Sequence, residues 1–146
     1  MDDIIVKLCN QTPGPIIKKS TIPNIGFGLF ADKDYKKKEN ITVYGGKLYY
    51  HVVDGPYIFR LQENPPIYVD GKDGFDFSEK GRYANHGYES DYLLNQQFEN
   101  IAPVHMTANT EYYVTKKNGF PICYLRALRS IKKGEELFVD YGPLYW

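Results

Sequence analysis

Apolar residues run along this chain in short bursts separated by glycine, proline and asparagine, with few stretches of helical period. IIVKL, within Met1 to Gln11, is one short apolar run, and Thr12-Pro13-Gly14-Pro15 breaks it. IIKKS then predicts a short strand, and IPNIGFGLFA is punctuated by glycine. DKDYKKKEN reads as a charged, solvated connector. ITVYGGKLYYHVV is rich in β-branched and aromatic residues and predicts one or two strands around Gly45-Gly46. YIFRL and IYVDG predict further strands, with the turn ENPP between them. GKDGFDFSEKG is loop, and a helical turn or two is expected near Phe77 to Asn85.

From Gly87 to Glu111 no clean period shows. EYYVT and PICYLRAL then flank KKNG, whose Asn118-Gly119 pair is a strong hairpin signal because both central residues of a type I′ turn need positive φ. IKKGEELFVDYG is a turn followed by a strand, and GPLYW closes the chain. Neither a long amphipathic helix nor an internal repeat is visible. The pattern predicts a mainly β chain, β-rich α+β, in one domain.

Composition narrows the function. A chain of 146 residues suits one domain, and 42% apolar residues suffice for its core. Basic and acidic residues balance at 18 each, which argues against the basic footprint of a general nucleic-acid binder and against a polybasic membrane anchor. No segment approaches the ~20 apolar residues of a membrane span. MDDIIVKLCN is acidic where a secretory signal is basic, so an intracellular protein is expected. Cys9 and Cys123 are expected to be reduced and structural. Tyrosine is the outlier, with 14 Tyr and 8 Phe against a single Trp. Its flat apolar face and hydroxyl tip suit either a β surface or a narrow polar-tipped channel.

The individual motifs stay ambiguous. Gly26-Phe27-Gly28 allows tight turning and close approach of a ligand, yet a dinucleotide fingerprint needs a third glycine and a following helix. A plain turn between strands is the alternative. Asn85-His86 stands in RYANHGYES, but His51, His86 and His105 show no HxxxH spacing, there is no CxxC, and no metal site is expected. GxSxG is absent, and Cys123 sits in an apolar strand pattern, which disfavours a nucleophilic triad. GEELFVDYG could be no more than a surface turn running into an ordinary edge strand.

Their order is more informative than any one of them. GFGLFA, a charged turn, VYGG, YIFRL, YVDG, RYANHG and ICYLRALRSIKKGEELFVDYG follow one another as in SET-domain protein lysine methyltransferases, which this chain resembles from about Ile16 to Trp146. The resemblance implies a SET fold of several short sheets, with the C-terminal segment threaded through a loop. It assigns residues 1–15 to an N-terminal segment and 16–146 to the methyltransferase domain. That threading would bring Asn85 close to Tyr141.

By the same resemblance the cofactor is S-adenosyl-L-methionine. Ile25, Gly26, Phe27 and Gly28 would contact it through backbone. Asn85 would bond its amino-acid end, His86 would set backbone groups against the adenine, and Trp146 would either stack on the adenine or cap the chain end. Tyr141 matches the catalytic tyrosine, and Tyr44 a second tyrosine of the lysine channel. Aromatic walls suit a lysine stem and tolerate a developing ammonium. Val139 stands where many relatives carry Phe or Tyr, so Tyr92 or Tyr112 is expected to fill the channel there. Gly87-Tyr88 replaces the usual Ser-Cys, and the chain lacks cysteine-rich zinc segments.

The implied activity is transfer of methyl groups to lysine of a protein, plausibly a histone tail, as a histone-modifying chromatin regulator. The rival is a SET-fold interaction module that has lost catalysis. The implied partner is a lysine-bearing peptide, with neither nucleic acid nor membrane. The implied location is nuclear or chromatin-associated for a eukaryotic or viral source and cytoplasmic otherwise.

Overall fold

The structure, a computed structural model, describes residues 2–86 and 107–139. A helix, α1 (Asp2–Asn10), leads into β1 (Ile16–Lys19) and β2 (Phe27–Phe30). There follow β3 (Asn40–Val43), β4 (Lys47–Tyr49), β5 (Ile58–Gln62) and β6 (Ile67–Asp70). A 3-10 turn (Gly81–Tyr83) precedes the two-residue β7 (Asn85–His86). The long hairpin β8 (Thr110–Lys117) and β9 (Phe120–Ala127) comes next, and β10 (Glu136–Val139) is the last described strand.

The larger sheet has the order β1-β2-β10-β8-β9-β3, with β7 also pairing to β10. The smaller one is antiparallel, in the order β4-β6-β5. The main core gathers Ile17, Leu29, Leu125, Ile131, Leu137 and Val139 beneath α1. A second cluster, of Tyr44, Leu61, Ile67, Val69 and Cys123, joins the small sheet to the hairpin. This is the mainly β architecture of short sheets that the sequence predicts.

The hairpin follows from its sequence. Asn118 and Gly119 take φ values of 54° and 81°, and β9 alternates buried and half-exposed residues from Pro121 to Ala127. α1 is less obvious, because a five-residue apolar run cannot distinguish helix from strand. Val6 and Cys9 lie three apart, one helical turn, and both enter the core. Asn10 then bonds the backbone of Ile17 twice at 2.8 Å, through Nδ2 to the carbonyl and through Oδ1 from the N–H. The helix is thereby fastened to β1.

Two sequence readings need correction. The connector DKDYKKKEN is not wholly solvated. Tyr35 is buried, bridges Ile131 through two backbone bonds and donates its hydroxyl to Asp32. Nor is β10 an edge strand: all four residues are buried, with β2 antiparallel to it and β7 and β8 parallel. The apolar run Leu137-Phe138-Val139 is what a strand covered on both faces needs, and that cover comes from distant parts of the chain.

Candidate active site

The site is assembled around β10. Its Phe138 and Val139 pair in parallel with Asn85 and His86. On the other side of Val139 lies Thr110 of β8. Asn109 serves as a further strand partner through its side chain, accepting from the Phe138 N–H at 2.8 Å and donating to the Glu136 carbonyl at 2.9 Å. Thr110 Oγ1 donates to the Phe138 carbonyl at 2.8 Å. The strand that leads toward Tyr141 is therefore held by backbone and side chains together.

Asn85 ties this arrangement to the glycine motif. Its Nδ2 donates to the Phe27 carbonyl at 3.0 Å, across 58 positions of sequence. Phe27 and Gly28 already belong to β2, so the motif is the entry to a strand rather than a free loop. Gly26 has φ 95°, and a Cβ there would meet nothing within 4 Å. Ile25 beside it is 53% exposed. Gly28 is different, since a Cβ would collide with the Glu136 carboxylate and lie 3.2 Å from Ser20 Cβ. The first glycine faces open space and the second faces a buried acid.

Tyr44 is buried at the junction of the two sheets. Its hydroxyl donates to the Tyr57 carbonyl at 2.6 Å, and the same carbonyl accepts from the Gly71 N–H at 2.9 Å. Its ring meets Tyr112 edge-on at 5.3 Å and Phe59 at 6.0 Å, while Phe59 and Tyr112 are 5.1 Å apart. Those three rings, with Tyr57 and Arg82, border a cavity of about 30 Å³. Arg82 lies over the rings of Tyr57 at 4.9 Å and Tyr83 at 4.7 Å, and donates to the Gly71 and Lys72 carbonyls at 3.4 and 3.3 Å. A larger hollow of about 270 Å³ opens between the small sheet and the hairpin tip, bordered by Leu48, Leu61, Phe120 and Glu79.

The thiols carry no nucleophilic chemistry here. Cys123 is buried behind Tyr44, and burial pushes its pKa up to about 12. Burial also raises that of Cys9.

Of the residues singled out from the sequence, Ile25, Gly26, Phe27, Gly28, Asn85 and His86 come together at the β2, β7 and β10 junction. Tyr44 and Tyr112 meet in the aromatic cluster. Val139 is wholly buried in the main core. Tyr92, Tyr141 and Trp146 lie outside the described residues. Sequence reasoning passed over Glu136, which the structure places against Gly28, and Arg82, the arginine of RYANHG. An acid opening an apolar strand, ELFV, was the available signal for Glu136.

Comparison with known proteins agrees with this geometry. The family model described as "SET domain" matches residues 26–142. Over 143 residues the chain is 29% identical to histone-lysine N-methyltransferase EZH2 of Chaetomium thermophilum, covering 87% of this chain and 8% of that protein. Polycomb repressive complex 2 of that organism superposes with a TM-score of 0.66 at 25% identity, over 90% of this chain and 15% of the other. The same complex in an autoinhibited conformation bound to S-adenosylmethionine gives 0.65 at 26% identity, over 88% of this chain and 15% of the other. The chain thus spans a small part of the length of these relatives. S-adenosylmethionine is the cofactor of SET methyltransferases. With the family model matching most of its length, on a fold that carries the glycine, Asn-His and final-strand segments into contact, this chain belongs to the SET domain family.

Proposed function

We propose that this SET domain is an S-adenosylmethionine-dependent protein-lysine N-methyltransferase acting on a histone tail. The observation that carries the reading is the Asn85 amide on the Phe27 carbonyl, with Phe138 and Val139 alongside Asn85 and His86. It joins the three segments that a cofactor site of this family requires. The residues present fit the cofactor: the open side of Gly26 and exposed Ile25 offer backbone to a zwitterionic tail, and the Asn85 amide stands beside them.

When bound, the cofactor supplies a methyl group on a sulfonium. The chain's work is then orientation and exclusion of water. Ile25, Gly26, Phe27, Gly28, Asn85 and His86 would hold the donor, and Trp146 is the family-pattern candidate for its adenine. Tyr141 orients the neutral lysine amine toward the methyl group. Tyr44 lines the channel with Tyr112, and its hydroxyl is anchored on the Tyr57 carbonyl. By the family pattern Val139 and Tyr92 would border the same channel. Ring faces stabilise positive charge as the amine becomes an ammonium. The substrate peptide lies along the small sheet, where Leu61 of β5 borders the larger hollow. Residues 16–146 form the catalytic domain and 1–15 a segment packed against it through α1. A histone substrate places the protein at chromatin. No helix among the described residues is long and apolar enough to cross a membrane.

The test is Tyr141→Phe, assayed by mass on lysine peptides with labelled cofactor and by calorimetry for cofactor binding. Turnover should fall by about 10²-fold, the order lost with one positioned transition-state hydrogen bond, while cofactor binding persists. Unchanged turnover removes the assignment. Failure of the wild-type protein to bind millimolar cofactor would leave the interaction module instead.

A further inference from the structure

The geometry points to Glu136 as a positioning residue for the cofactor loop, and we infer that its carboxylate sets the loop's position; the inference rests on the cofactor reading above. Glu136 opens β10, opposite Phe30, and is only 7% exposed. A carboxyl in such a place is tolerated only where it is hydrogen-bonded, and an apolar residue would satisfy a strand buried on both faces. The acid therefore calls for a role beyond the strand.

Its partners supply one. Oε2 accepts from Ser20 Oγ at 2.7 Å, and Oε1 accepts from the Thr21 N–H at 2.9 Å and from Thr21 Oγ1 at 2.5 Å. Ser20 and Thr21 form the base of the loop that ends in the glycine motif. Ser20 Oγ in turn accepts from the Ile22 N–H at 3.1 Å, and the Ser20 N–H donates to the Gly26 carbonyl at 2.9 Å. A continuous run of bonds thus joins the carboxylate to the backbone of Gly26. Away from that base the loop has little to fix it: Asn24 and Gly26 both take positive φ, and residues 23–26 are exposed.

Gly28 closes the clamp from the other side. Any side chain there would occupy the carboxylate's place. The second glycine of the motif makes room for Glu136, and Glu136 then holds the loop whose first glycine faces open space. Glu136 acts through the loop and touches no reacting atom.

Calorimetric titration of S-adenosylmethionine into the wild type, Glu136→Gln and Thr21→Val tests this, together with steady-state kinetics on a lysine peptide and amide exchange without cofactor. Glu136→Gln keeps the volume but leaves one carbonyl oxygen for three donors. Cofactor affinity should fall about tenfold, and about threefold for Thr21→Val. At saturating cofactor, kcat should stay within about twofold of wild type. Exchange at Ile22, Ile25 and Gly26 should quicken in both variants. Wild-type affinity in both variants overturns the inference, and so does a fall in kcat with cofactor KM unchanged. If Glu136→Gln does not fold, Thr21→Val decides, since Thr21 is exposed and outside β10. If the wild type binds no cofactor, the functional reading falls and this inference with it. Binding by the wild type with unaltered variants removes the inference alone.

Discussion

Lys80→Met perturbs the least expected side chain of the interior. Lys80 is wholly buried, and its Nζ donates to the carbonyls of Pro15 at 2.9 Å and Thr12 at 3.0 Å, with a longer contact to Pro13 at 3.5 Å. It fastens the Thr12-Pro13-Gly14-Pro15 turn to the segment that leads into Gly81 and Asn85. Two good bonds from a charged donor contribute about 3–6 kcal/mol, and the ammonium's desolvation takes back several. Methionine keeps the stem and removes that desolvation, but it strands two carbonyls at about 1–3 kcal/mol each. The net expectation is a loss of about 2–4 kcal/mol, a large part of a stability of about 5–15. Urea unfolding measures it as a lower midpoint with m unchanged. A change within about 0.5 kcal/mol, or a gain, would refute the reasoning, because desolvation would then equal or outweigh the bonds.

The pH dependence gives the same argument a sign. Burial pushes the Lys80 pKa down, so the native state sheds this proton at a lower pH than the unfolded chain. Between the two values the unfolded chain binds more protons, and stability rises with pH. Buried Cys123 and Tyr35, whose pKa values are raised, act in the opposite sense in alkali. The difference between wild type and Lys80→Met therefore isolates the lysine: it should grow as pH climbs through the folded lysine's pKa, and a flat difference would contradict the assignment.

Two further outcomes follow from the packing. Gly28→Ala should destabilise by about 1–3 kcal/mol through overpacking, and most of that cost should vanish in a Glu136→Ala background. A double-mutant cycle by urea unfolding should give a coupling of at least about 1 kcal/mol, and additivity would show that the glycine answers to something else. At pH 8 only about one Cys123 thiol in 10⁴ should be ionised in the native state, so Cys123 should label at least about a thousandfold more slowly than in urea, and buried Cys9, whose pKa burial also raises, should label more slowly as well. Rapid labelling of the native protein by a thiol reagent, located by mass, would oppose this.

What could be read from the sequence was local or ordered. The Asn118-Gly119 turn and the alternation along β9 are short-range patterns, and both appear where they were expected. The succession of motifs identified the family because it is a property of order, not of contact. Long-range burial was harder to read. Nothing near Tyr35 in DKDYKKKEN signals that Ile131 will cover it, and nothing near Lys80 signals three carbonyls from residues 12–15. The strand ELFV looked like an edge because its covering strands come from residues 27–30, 85–86 and 110–117. Glycine's freedom suggested a ligand beside the G-F-G motif, but nothing in the sequence signals that a Cβ at Gly28 would meet the Glu136 carboxylate while one at Gly26 would meet open space.

That arrangement shows how a site built partly on a loop can be held as exactly as the proposed methyl transfer requires. Reacting groups must be held to within about half an ångström, which strands achieve more readily than loops. β10 spreads this rigidity. Glu136 grips the loop base, Leu137 enters the core, Phe138 is bonded by Asn109 and Thr110, and Val139 lies between His86 and Thr110. Each residue faces a different part of the chain. The strand cannot seat until β2, β7 and β8 are near, so the site completes only with long-range closure. The same requirement ties the loop base, the Asn-His pair and the core to one strand.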